Sequence, residues 1–130
     1  MSYKKSYQNW QNNPISYWEE KAKDISWNKK PKKILDSSDA PFWTWFPDGE
    51  LNTSYNCLDI HIKNGNGDRK ALIYDSPVTQ TKKTYTYKEL LTKTEKIAGA
   101  LQEHGVKKGD RVLIYMPMIP EAVASMLACA

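Results

Sequence analysis

The side chains that could do chemistry are few and scattered. His61 lies four residues after Cys57 and two after Asp59. Two of these could approach one metal ion, but a stable site wants three ligands in good geometry, so His61 reads as a hydrogen-bonding structural histidine. The other histidine, His104, falls in the last turn of a predicted helix, where a cation complements the helix dipole. Asp59 could meet Asp48 or Glu50 as a carboxylate pair only through the tertiary fold, and ordinary surface polarity is expected. Gly65-Asn66-Gly67-Asp68 lacks a third glycine and does not sit between a strand and a long helix, so it reads as a turn and not as a dinucleotide loop. No Ser/Thr/Gly-rich loop ending in lysine is present to cradle a nucleotide phosphate. The run Phe42-Trp43-Thr44-Trp45-Phe46 could stack bases of a single strand. No arginine interleaves with it and acidic residues follow, so core packing is the expectation. The sequence thus offers no catalytic, cofactor-binding or metal-ligating residue.

The elements around these residues fall into two compositional halves, divided near residue 56. All five tryptophans and both phenylalanines precede it, and valine and isoleucine take over after it. In the first half, Asn13 before Pro14 is a helix start, with Ile15, Trp18 and Ala22 on one face. Pro31 and Pro41 punctuate irregular chain beyond it. A short helix is expected from about Asn56 to Lys63, stopped by Gly65.

The second half predicts a strand at Ala71–Tyr74 and an antiparallel partner at Lys83–Thr86. Thr86 and Glu89 form a capping box, and the helix that follows places Leu90, Thr94, Ile97, Ala98 and Leu101 on one face before Gly105 ends it. Arg111–Met116 is almost continuously apolar, the pattern of a strand covered on both faces in a parallel sheet. Pro120 opens a last helix with Val123, Met126 and Leu127 on one face. The fold class is α/β: an aromatic-rich helical or irregular N-terminal segment (1–56), then strand-strand-helix-strand-helix (57–130). A right-handed crossover is expected. A strand apolar on both faces also needs neighbours on both edges, so the chain reads as the beginning of a larger sheet.

At 130 residues, 40% hydrophobic and 26% charged, this is an ordinary globular composition. The net charge of +4 raises the question of an anionic partner. The lysines come in small groups, Lys4–Lys5, Lys29–Lys30 with Lys32–Lys33, Lys82–Lys83 and Lys107–Lys108, each at a loop or segment end. Solvated lysines are expected there, with no nucleic acid and no membrane as partners. Cys57 and Cys129 lie too far apart for a redox motif or a disulfide framework, and a reduced, cytoplasmic setting follows. Glu19, Glu20 and Asp24, with no arginine in the first thirty residues, argue against a mitochondrial transit peptide.

Several strings resemble one family. Trp43–His61, WTWFPDGELNTSYNCLDIH, is similar to the signature that opens short-chain acyl-CoA synthetases of the acetyl/propionyl type. Ala71–Leu90 resembles the strand–loop–strand–helix that follows in those acyl-adenylate-forming enzymes, and Gly105–Ala130 resembles their first core strand and helix. Tyr17–Asp36 fits more loosely. Ile60 departs from the pattern, which has arginine before the histidine. The loop Asp75–Thr79 is closer to the propionate branch.

The resemblance implies an N-terminal fragment of an AMP-forming acid–thiol ligase. The parent would use ATP, Mg2+ and CoA to convert acetate or propionate to an acyl-adenylate and then an acyl-CoA. The family's nucleotide loop, acyl pocket and catalytic lysine all lie downstream, so no active-site residue maps here and no cofactor is expected in this piece. The expected partners are the remainder of the ligase chain and a second copy, through an exposed sheet edge. The alternative is a free-standing interaction or regulatory module derived from such an enzyme.

Overall fold

A computed structural model describes residues 2–130. The chain divides into two compact units, one ending at Asn52 and the other spanning Thr53–Ala130.

The first unit begins with helix α1 (Tyr3–Asn12) and helix α2 (Pro14–Ala22). Asn13 separates them because its side chain caps the second: its Oδ1 accepts from Ser16 N–H at 3.1 Å, and Pro14 sits at the first helical position. Strands β1 (Leu35–Asp36) and β2 (Thr44–Trp45) pair antiparallel, with Leu35 opposite Trp45. Large rings organise this unit as expected. Trp18 meets Trp45 edge-on at 5.8 Å, and Trp27 lies 5.3 Å from Phe46. The indole N–H of Trp27 donates to Ala22 O at 2.8 Å, which gives its polar atom a partner. The rings are not sealed from water, however. Phe42, Trp43 and Trp45 are exposed, so the expected core packing of this run is only partial.

The second unit opens with two short helices, α3 (Thr53–Cys57) and α4 (Asp59–His61), and a π-helical turn at Ile62–Asn66. The predicted single helix at 56–63 therefore begins earlier and breaks at Leu58. Strands β3 (Lys70–Ser76) and β4 (Thr81–Thr86) form an antiparallel hairpin. Register runs from Ser76 opposite Thr81 to Lys70 opposite Thr86, with an irregularity between Lys70 and Leu72. Helix α5 (Tyr87–Glu103) follows at once. The capping box is complete: Glu89 N–H donates to Thr86 Oγ1 at 3.2 Å, and Thr86 N–H donates to the Glu89 carboxylate at 2.8 Å. At the other end Gly105 takes φ +83°, Val106 N–H reaches Leu101 O and Gly105 N–H reaches Gln102 O. That is a Schellman ending, open to glycine because it has no Cβ.

Helix α6 (Pro120–Ala128) packs against α5. The core is small: Leu58, Leu90, Ala124 and Leu127 are buried, ringed by half-buried Leu72, Tyr85, Leu91, Ile97 and Val123. Met126 points to solvent, and Ala124 takes the buried place instead. Residues 123, 124 and 127 are the helical neighbours that can face α5 together.

The expected strand at Arg111–Met116 does not form; those residues lie outside every helix and strand, and no crossover exists among the described residues. The cause is hydrogen bonding. A central strand needs partners on both edges, and the hairpin β3–β4 pairs only with itself. The architecture is therefore mixed α/β with two separate two-stranded sheets.

Candidate functional site

The Cys57–Asp59–His61 group is split across the break at Leu58, with Cys57 ending α3 and Asp59 and His61 in α4. Among the described residues no three His, Cys, Asp or Glu side chains are placed to hold a metal ion. His61 instead lies against the ring of Tyr87, centroids 4.7 Å apart, at the start of α5. Lys63 donates to the Tyr55 hydroxyl at 3.0 Å, and this bond raises its pKa. Cys57 and Cys129 are both free and exposed.

The glycine-containing stretch is a turn that clasps the start of α5. Gly65 takes φ +79°, Lys88 N–H donates to Gly67 O, and the Lys88 ammonium bonds Asp68 at 3.0 Å. The stretch is thus built into the start of α5 as a turn.

The carboxylates have structural partners. Asp48 accepts from the backbone N–H groups of Lys33 and Lys32 at 3.0 to 3.2 Å, which holds its pKa below the usual carboxylate value. Glu50 bonds Lys29 across an antiparallel bridge. Asp36 is held at about 2, chiefly by the Lys33 ammonium and then by Ser38. Some of the grouped lysines are answered in the same way: Lys33 by Asp36, Lys82 by Asp75, Lys83 over the Tyr85 ring at 5.0 Å. Lys23 pairs with Glu20.

One interaction and two cavities carried no sequence signal. Lys93 of α5 donates to Glu121 of α6 at 2.6 Å, from a position 28 residues away. Each charge favours the other, raising the lysine and lowering the glutamate. A shallow cavity of about 250 Å³ lies between Ala22, Ile25, Trp27, Pro31 and Ile34, rimmed by lysines. A second, of about 300 Å³, lies beside Leu101, Val106, Val112, Ala128 and Cys129. Both are at or below the low end of ligand sites, and neither holds a base beside a nucleophile.

The comparisons with known proteins match this arrangement to a family along almost the whole chain. Residues 3–57 match the model described as acetyl-coenzyme A synthetase N-terminus, and residues 61–130 match AMP-binding enzyme. Human acyl-CoA synthetase short-chain family member 3, mitochondrial, is 55% identical over 117 residues, which is 90% of this chain and 17% of that protein. Acetyl-coenzyme A synthetase of Streptomyces coelicolor is 48% identical over 116 residues, 89% of this chain and 18% of that protein. The solved acetoacetyl-CoA synthetase from Streptomyces lividans superposes with a TM-score of 0.78 at 28% identity, over 92% of this chain and 19% of that one. The chain thus spans about a sixth to a fifth of the length of these relatives. The chain belongs to the AMP-binding enzyme family, and corresponds within it to the N-terminal region of short-chain acyl-CoA synthetases.

Proposed function

We propose that this chain is the N-terminal, architectural part of an ATP-dependent ligase that joins a short carboxylic acid to CoA through an acyl-adenylate, and that it catalyses nothing alone. The supporting observation is family likeness over residues 3–57 and 61–130, in a chain where no three His, Cys, Asp or Glu side chains among the described residues are placed to hold a metal ion. In that role the first unit is an aromatic cover and residues 57–130 begin the AMP-binding domain. Arg111–Met116 would become a strand once neighbouring strands supply its hydrogen bonds. Acetate and propionate are the acids we favour, the latter on the loop Asp75–Thr79. Two free exposed thiols suit a reducing compartment such as the cytoplasm.

The test is formation of acyl-CoA and AMP from acetate or propionate with ATP, Mg2+ and CoA. The 130-residue chain should give no turnover above blank. A fusion of its Ala130 to the following portion of the human relative should restore it. Turnover by the chain alone, or a folded but inactive fusion, would count against the reading. The interaction-module alternative draws support from one feature, the bare apolar segment at 111–118.

A further inference from the structure

Asparagine followed by glycine is a chemically weak link. The next backbone nitrogen can close a five-membered ring on the side-chain amide, and glycine puts no Cβ in the way. The sequence carries this pair twice in succession, Asn64-Gly65 and Asn66-Gly67. The structure holds the two pairs differently. Asn64 and Gly65 are exposed, and a Cβ built on Gly65 would meet nothing within 4 Å. Gly65 is also where the helical path breaks, with φ +79° and ψ 10°. Helix ends of this kind fray.

Asn66 and Gly67 are tied down. Asn66 O accepts from Arg69 N–H at 3.0 Å, and its Oδ1 accepts from the Arg69 guanidinium at 3.4 Å. Gly67 is buried, and its carbonyl accepts from Lys88 N–H at 3.1 Å. The Lys88 stem lies against it, 2.7 Å from where a Cβ would stand. All of these partners are this chain's own, so the contrast between the pairs is local.

We infer that Asn64 is a site of spontaneous covalent modification, deamidation through a succinimide shared with Gly65, from which the fold protects Asn66. The Gly65 nitrogen attacks Asn64 Cγ. A C–N bond forms, the Cγ–Nδ2 bond breaks, and ammonia leaves with the proton of the Gly65 amide. One water then opens the ring. Opening on the side-chain side leaves aspartate. Opening on the main-chain side leaves isoaspartate, whose backbone runs through Cβ. Water is the only co-reactant. For Asn66 the same rotation would break the bonds at Asn66 O and Gly67 O, a slowing of about tenfold or more.

The product acts on the turn that clasps α5. A carboxylate at the end of a helical segment opposes its dipole. Isoaspartate also adds a backbone atom just before Gly67 and Arg69, whose carbonyls hold the N–H groups of Lys88 and Tyr87. Modification thus loosens the start of α5 with age.

The test is to age the chain for days in mildly alkaline buffer and map its peptides by mass spectrometry, with fragmentation that separates aspartate from isoaspartate. Asn64 should convert first, and Asn66 about tenfold more slowly. In concentrated urea the two sites should convert at similar rates, which isolates the contribution of the fold. Asn64→Gln, a substitution at an exposed position, should stop conversion there and leave Asn66 slow. Hydrogen exchange at Lys88 should be faster in aged chain than in fresh chain, and unchanged by age in Asn64→Gln. An Asn64 that stays intact while folded would overturn the inference. So would equal conversion of both sites in the folded chain, or an aged chain whose Lys88 amide exchanges no faster.

Discussion

Gly49 shows how one residue fixes a local arrangement in the aromatic unit. A Cβ at this position would lie 2.8 Å from the Trp27 ring and 3.2 Å from Pro31. Gly49→Ala should therefore destabilise the first unit by about 1–3 kcal/mol through overpacking. Tryptophan fluorescence during thermal unfolding measures this. Asp36 makes the same unit sensitive to acid. Its folded pKa is depressed to about 2 from 3.8 by Lys33 and Ser38. A depressed carboxylate contributes stability that is complete above its unfolded pKa and is lost as pH falls through the folded value. An acid titration should accordingly show the loss between about pH 4 and 2, and Asp36→Asn should remove that component. The role of Gly49 was not visible in the sequence, because the Trp27 ring reaches it only through the tertiary fold.

At the scale of elements, the helices whose ends are signalled by adjacent residues were legible. Thr86-Tyr87-Lys88-Glu89 and Gly105 delimit α5 in the structure as they do in the sequence. Thr86→Ala should cost about 1 kcal/mol, read as a fall of a few degrees in the melting temperature of the second unit. The Lys93–Glu121 pair ties α5 to α6. With the glutamate lowered from 4.5 and the lysine raised from 10.5, its contribution is complete only between those values. It is lost as acid protonates Glu121 and as base deprotonates Lys93. Both side chains are partly solvated, so Glu121→Gln should cost only about 0.2–1 kcal/mol. Chemical denaturation at pH 7 and pH 3 should show a smaller difference between the two proteins at the second. Propensity could not find this pair, because nothing local connects positions 28 residues apart.

Across the whole molecule, the segment left without strand neighbours shows in the exposed surface. The chain exposes 10174 Å². Two separate compact bodies of 52 and 78 residues would expose about 8500 Å² together. Much of the excess is apolar: Leu113, Tyr115 and Met118 are among the most exposed side chains. Hydrogen exchange at 1 µM should find amides 112–116 almost unprotected, while those of β3, β4 and the centre of α5 are slowed at least a hundredfold, as expected for hydrogen-bonded elements.

The sequence by itself determined what neighbouring residues can decide among themselves: the cap at Asn13, the box at Thr86, the glycine stop at 105, the hairpin between Tyr74 and Lys83, and the strings that mark the family. These depend on contacts a few residues long, and such contacts survive in any piece of chain that contains them. Tertiary structure alone decided the rest. Ala124 rather than Met126 is buried, Glu121 finds Lys93, His61 finds Tyr87, and Arg111–Met116 stays unpaired. The physical reason is that a strand, unlike a helix, satisfies none of its backbone groups from within itself. Its sequence can declare which residues would face a sheet, but only another strand can make it one.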